Sequence, residues 1–162
     1  MERRAAMLNH ETLREETRLE ALEERLRSAR TLTRDLVSEV IAEACPRLAA
    51  LGTKAEAAVW GMIEAGALSG AMLALVEIAL PQWKPRRLVC EDGEWYCSLS
   101  KQPWLPVGFD ETAEASHGIF PIAILMALIE ARRRAPMRAA ATGSVPNVRS
   151  AEIYAVPCDN FA

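Results

Sequence analysis

Aromatic residues make up 6% of this 162-residue sequence, histidine occurs twice and glycine eight times, and each scarcity removes a class of chemistry. With only His10 and His117, the side chain that most often binds zinc or acts as a general base is nearly missing. The glycines form no Gly-x-Gly-x-x-Gly or Walker phosphate loop. No Gly-x-Ser-x-Gly elbow, His-Glu-x-x-His pair or calcium loop occurs either. Nucleotide-dependent chemistry and metallohydrolysis therefore lack their usual parts, and neither a cofactor nor a metal is expected. Charge of one sign is also missing: 19 Lys+Arg against 22 Asp+Glu leave a formal charge of -3, which implies no polyanionic ligand.

Long apolar runs are scarce as well. The longest, Ala71 to Leu80 and Ile119 to Ile129, are too short to span a bilayer, so no membrane partner is expected. Met1 to Leu8 runs into a charged helix without an apolar stretch of secretory length, and the expected location is cytoplasmic. Cys45, Cys90, Cys97 and Cys158 are accordingly read as reduced thiols rather than a disulfide framework.

What the sequence does have is helical periodicity. From about Glu11 to Ala44, Leu19, Leu22, Leu26, Ala29, Leu36, Val37, Val40, Ile41 and Ala44 fall at three- and four-residue steps, and Pro46 ends the pattern. Outside that stripe the first half is nearly all charge, with Glu11–Arg14, Glu15–Arg18 and Glu23–Arg27 spaced to pair on a helix. A helix with so narrow an apolar seam cannot stand alone in water. The seam must meet another helix of the same chain, a second copy or a partner. Thr53 and Glu56 have capping-box spacing before a short apolar helix that stops near Gly66. Ser69 opens the next helix, apolar on nearly every side except Glu77 and closed by Pro81. Ile119 to Ile129 reads as the central buried helix, with Pro121 in its first turn and Arg132, Arg133 and Arg134 in its last.

Between the last two helices lies the strongest hairpin signal, Asp92-Gly93 between Arg87–Glu91 and Glu94–Ser98. A two-residue turn sets Cys90 opposite Trp95 and Leu88 opposite Cys97, and places all four on the core face. Two strands are marginal alone, and Glu152–Val156 is the candidate third. Lys101 to Phe109, with two prolines and two aromatics, reads as an ordered loop, and Asp110-Glu111-Thr112 as the start of a helical turn. The expected class is α+β: a long N-terminal amphipathic helix and three further core helices on a small antiparallel sheet, with hairpin 87–91/94–99. The expected organisation is an N-terminal helix over 1–45, a body over 46–136, and a linker with a candidate edge strand over 137–162.

Trp95-Tyr96-Cys97-Ser98 on a strand, then Glu114-Ala115-Ser116, then the helix opening Pro121-Ile122-Ala123-Ile124-Leu125 give residues 57–131 a pattern that resembles the alpha-beta-alpha sandwich domain of small phage and proteobacterial hypothetical proteins. The resemblance implies a layered α/β fold and brings no catalytic residue.

Three functional expectations follow. The first is a small non-enzymatic interaction or regulatory protein that binds itself, as a homodimer, or a protein partner through the N-terminal helix, with Leu19, Leu22 and Leu26 as contacts. The second is a ligand or enzymatic pocket near Glu77, Trp95, Trp104 and His117. The third, which the charge balance disfavours, is a nucleic-acid accessory factor with Arg86, Arg87, Arg132, Arg133 and Arg134 on phosphates. Cys90 and Cys97 are diagonal neighbours on the hairpin, but their spacing of six intervening residues is not that of a zinc knuckle.

Overall fold

A computed structural model describes residues 2–141 of the chain, with side chains described for 12–135 apart from Val107. The element order is α1 (Glu2–Ser28), α2 (Arg34–Ala44), α3 (Pro46–Leu51), α4 (Thr53–Glu64), α5 (Leu68–Ala79), β1 (Lys84–Glu91), β2 (Glu94–Ser100), β3 (Thr112–His117) and α6 (Phe120–Ala141). The fold is α+β, with an N-terminal helix and a three-stranded antiparallel sheet in the order β1-β2-β3. Among the described residues no helix is long and apolar enough to cross a membrane.

The periodic stretch read as one helix is two. Ala29 donates its N–H back to the Leu26 carbonyl, and after a short break Thr33 caps α2 by accepting the Leu36 N–H at 3.3 Å. A threonine oxygen that bonds a nearby backbone N–H competes with helix continuation, which is why the apolar rhythm persists across the break while the helix does not. The two halves fold back on each other, held at their rims by Arg18–Glu43 at 3.6 Å and Arg25–Glu39. The expected side-chain caps elsewhere do not form. Gly52, not Thr53, occupies the N-cap of α4, and α5 begins at Leu68 before Ser69. Helix α4 ends in paired bonds from Gly66 to Ile63 and from Ala67 to Met62, with Gly66 at φ 78, the geometry of a Schellman stop.

The hairpin forms as the Asp-Gly turn dictates. Asp92 and Gly93 have φ 53 and 81, and Cys90 pairs with Trp95 and Leu88 with Cys97. Cys97 and Leu99 are buried and Trp95 half-buried, whereas Cys90, near the tip, is exposed, so burial does not protect that thiol. The third strand is Thr112–His117, in the stretch read as a helical turn, while the candidate strand 152–156 and Cys158 lie outside the described residues. Helix α6 extends beyond the expected stop, through Pro136 to Ala141. It is the spine of the molecule: Ile122 to Ile129 are all buried, with β2 and β3 on one side and α1, α2 and α5 on the other.

Candidate functional site

The segment joining β2 to β3 is short, well bonded and displays two of the most exposed large apolar side chains. It consists of two consecutive tight turns. Leu105 donates to the Gln102 carbonyl at 2.9 Å, closing a turn with Pro103 and Trp104 at its centre, and Phe109 donates to the Pro106 carbonyl at 2.9 Å, closing a 3-10 turn. Proline at the second position fixes φ for the first turn, and proline at the start of the second needs no N–H there.

Both turns are anchored to the sheet by one buried ion pair. The register of β1 shifts between Pro85 and Arg87, and Arg86 stands at this irregularity. Its guanidinium donates to Asp110 Oδ2 at 2.5 Å and to the Leu105 carbonyl at 2.8 Å. Asp110 also accepts the Ser100 hydroxyl and, at 3.3 Å, the Gln102 N–H; Ser100 Oγ in turn accepts that N–H at 3.0 Å. The Asp110 side chain has no exposed surface and that of Arg86 is 18% exposed. Burial pushes the Asp110 carboxyl up, but the Ser100 hydroxyl, the Arg86 guanidinium and the Gln102 N–H together outweigh it and hold the group below its ordinary value. Each bond to a carboxylate oxygen is stronger than a neutral one, so the loop is fixed at three points.

On this frame Trp104 is 75% exposed and Phe109 82%. The flank beside Phe109 opens into a cavity of about 280 Å³ lined with Gln82, Lys101, Gln102, Asp110 and Glu111. Lys101 lies 4.9 Å over the ring of buried Trp83 and 3.4 Å from Glu111, so its charge is engaged. An aromatic face on a rigid loop with a polar flank has the make-up of a contact surface: large apolar area that needs no ordering when a partner arrives.

The residues expected at functional sites fare differently. Leu19, Leu22 and Leu26 are 3%, 4% and 0% exposed, because the seam packs into the core shared with α2 and α6 of the same chain. They are therefore not available as contacts for a partner. Glu77, Trp95, Trp104 and His117 do not converge either. Glu77 is exposed on α5 and pairs with Lys84 at 3.1 Å, next to the Ser100 end of β2. Trp95 and His117 pair at the other end of β2, about 17 Å away along the strand. There Trp95 stacks on Phe120 with ring centroids 4.3 Å apart, and His117 Nδ1 accepts the Ile119 N–H at 2.9 Å at the start of α6. Both are structural positions; of the four, Trp104 alone belongs to the loop.

The arginines expected on phosphate are each matched to a carboxylate. Arg86 meets Asp110 at 2.5 Å, Arg87 meets Glu91 at 2.6 Å, and Arg134 meets Glu130 at 2.8 Å. Arg132 reaches Glu15 at 3.2 Å and Arg133 reaches Glu20 and Glu23 at 3.2 and 3.0 Å, so this pair ties α6 to α1. Their charge is spent within the chain. The described cysteines are free thiols; burial pushes both Cys45 and Cys97 up to about 12. Phe109 and Asp110 were absent from the expected site. The signal available for them was the Pro-Trp-Leu-Pro-Val-Gly-Phe-Asp spacing itself, which puts an aromatic into each of two proline-initiated turns.

No family model, curated protein or solved structure matches the chain.

Proposed function

We propose that this chain is a non-enzymatic interaction protein, and that its contact surface for a protein partner is the loop 101–111 rather than the N-terminal helix. The observation that carries the reading is the exposure of Trp104 and Phe109, 75% and 82%, on a backbone pinned by the buried Arg86–Asp110 pair. Tryptophan dominates hot spots, and aromatics of this kind each contribute about 2 kcal/mol or more when they seat in a partner. A loop that is already ordered avoids the entropy cost that flexible loops meet on binding. The charges around it are mutually paired, so the partner's complementary face is apolar with hydrogen-bonding groups at its rim, placed to meet the exposed Gln82 and Gln102.

The test uses a displayed random-peptide library panned on the full chain, with the Trp104→Ser/Phe109→Ser protein as counter-selection. Expected are enriched peptides rich in apolar residues that bind the unsubstituted chain at least tenfold more tightly than the double variant. Peptides that bind both proteins equally, or no enrichment, overturn the reading. The thermal transition of the double variant is expected to match that of the unsubstituted chain, because two side chains this exposed support little of the fold.

A further inference from the structure

We propose that a second copy of this chain pairs with the first along the open edge of the sheet, β3 against β3 in antiparallel register, with the two-fold axis at Ala115. The two edges of the sheet are not alike. β1 carries Lys84, Pro85, Arg86 and Arg87 and an irregular register, which are the features that keep an edge from pairing. β3 has an unbroken register from Thr112 to His117, no proline, no lysine or arginine, and two alanines. Among the described residues no strand lies beyond it.

Which backbone groups are open follows from the hairpin. A two-residue turn makes Glu91 and Glu94 a hydrogen-bonded pair, so Glu94, Tyr96 and Ser98 bond to β1 while Trp95, Cys97 and Leu99 bond to β3. On β3 the bonding partners are then His117, Ala115 and Ala113, and the backbone groups of Thr112, Glu114 and Ser116 face outward. The position of Arg134 agrees, because its guanidinium donates to the Thr112 carbonyl from α6. Among the described residues, Glu114 and Ser116 are left, each with one N–H and one carbonyl.

A second β3 can satisfy all of them in one register. Opposed residues in an antiparallel pair share a face, so the axis falls on a residue, and only two placements engage the open groups symmetrically. An axis at Glu114 sets two carboxylates directly opposite one another, which is repulsive. An axis at Ala115 sets Glu114 opposite Ser116 of the second copy, and the reverse, so no carboxylate directly opposes another and each pair exchanges two backbone bonds, the Ser116 hydroxyl itself being donated to Glu94 at 2.8 Å. The central pair is Ala115 with its own copy, small enough for the close approach of a non-hydrogen-bonded pair. The two-fold axis stands perpendicular to the sheet, so both copies of α6, which packs on β2 and β3, lie on the same face of the joined sheet. This contact is separate from the aromatic loop.

Light scattering at high micromolar concentration is expected to give twice the chain mass. Ser116→Pro removes an N–H that this pairing uses and that β2 does not, and is expected to return a single-chain mass with an unchanged circular dichroism spectrum. If that variant fails to fold, a milder one decides. Ala115→Cys, placed in a Cys90→Ser/Cys97→Ala/Cys158→Ser background because Cys97 lies opposite Ala115 on β2, is expected to form a disulfide-linked dimer under oxidised glutathione, since opposed side chains at the axis lie within bridging range. A single-chain mass for the unsubstituted protein, a dimer that survives Ser116→Pro with its fold intact, or no cross-link overturns the inference. So does a dimer that dissociates on Trp104→Ser/Phe109→Ser, an outcome that would assign self-association to the loop instead.

Discussion

Asp110 shows how one side chain sets the order of a whole loop and also where that order ends. Its carboxyl is held below the ordinary value, so the folded chain keeps the charged form at a pH where the unfolded chain already takes up a proton. The stability it contributes is complete above the ordinary carboxylate range, about pH 4, and is lost as pH falls through the lower folded value. Asp110→Asn, which keeps the shape and loses the charge, is expected to melt at lower temperature than the unsubstituted chain at pH 7 and to converge with it under acid. Thermal melts from pH 7 to pH 3 check this; a gap that stays constant with pH would mean that the carboxylate charge does not hold the loop. The thiols offer a second residue-level contrast. Burial that pushes Cys45 and Cys97 up to about 12 leaves almost no thiolate at neutral pH, whereas Cys90 is exposed at the hairpin tip. Iodoacetamide followed by peptide mapping is expected to label Cys90 in the native protein and Cys45 and Cys97 only after unfolding. Native labelling of Cys97 would show that the sheet opens from the α6 side.

At the scale of elements, legibility in the sequence follows how local the cause is. The hairpin and its register are readable because Asp92-Gly93 specifies a turn and the turn fixes the pairs from Glu91–Glu94 to Arg87–Ser98, up to the irregularity at Arg86. The central helix is readable because an apolar run of that length has nowhere to go but the core. β3 is not readable: Thr-Ala-Glu-Ala-Ser-His has little strand propensity, and it is a strand because β2 supplies a ladder and α6 a floor. The α1–α2 break hides for the opposite reason. The apolar rhythm that marks a helix continues through it, since both helices turn their apolar sides to the same core, and the only local mark is the Thr33 oxygen. Thr33→Ala removes the acceptor for the Leu36 N–H and is expected to cost about 1 kcal/mol in urea unfolding. No change would mean that the bend is set by packing alone. The loop site was half legible in the same way. Its turns and aromatics are local, but its anchor joins Arg86 to Asp110 across 24 residues.

For the molecule as a whole, the question is whether α1 is an appendage or a wall of the core. Its charged surface and narrow seam suit a detachable arm, and its ion pairs to α6, through Arg132 and Arg133, are half-exposed and individually worth at most about 1 kcal/mol. The seam argues otherwise. Leu19, Leu22 and Leu26 are each almost fully buried, and full burial of a leucine contributes about 1.5–3 kcal/mol, so three of them are comparable with the lower part of the about 5–15 kcal/mol by which a folded domain is stable. Their removal would also uncover the side of α6 that faces away from the sheet, which is apolar from Ile122 to Ile129 with no polar residue to meet water. A chain that begins near Val37 is therefore expected to keep much of its helical signal but to lose its cooperative thermal transition and its near-ultraviolet dichroism, and to aggregate through that exposed face. Leu22→Glu in the full chain, which buries a charge at the same place without shortening the helix, is expected to act in the same direction. A shortened chain that melts sharply near the temperature of the full one would make α1 an arm whose seam is covered only in passing, and would return the N-terminal helix to the list of surfaces that can receive a partner.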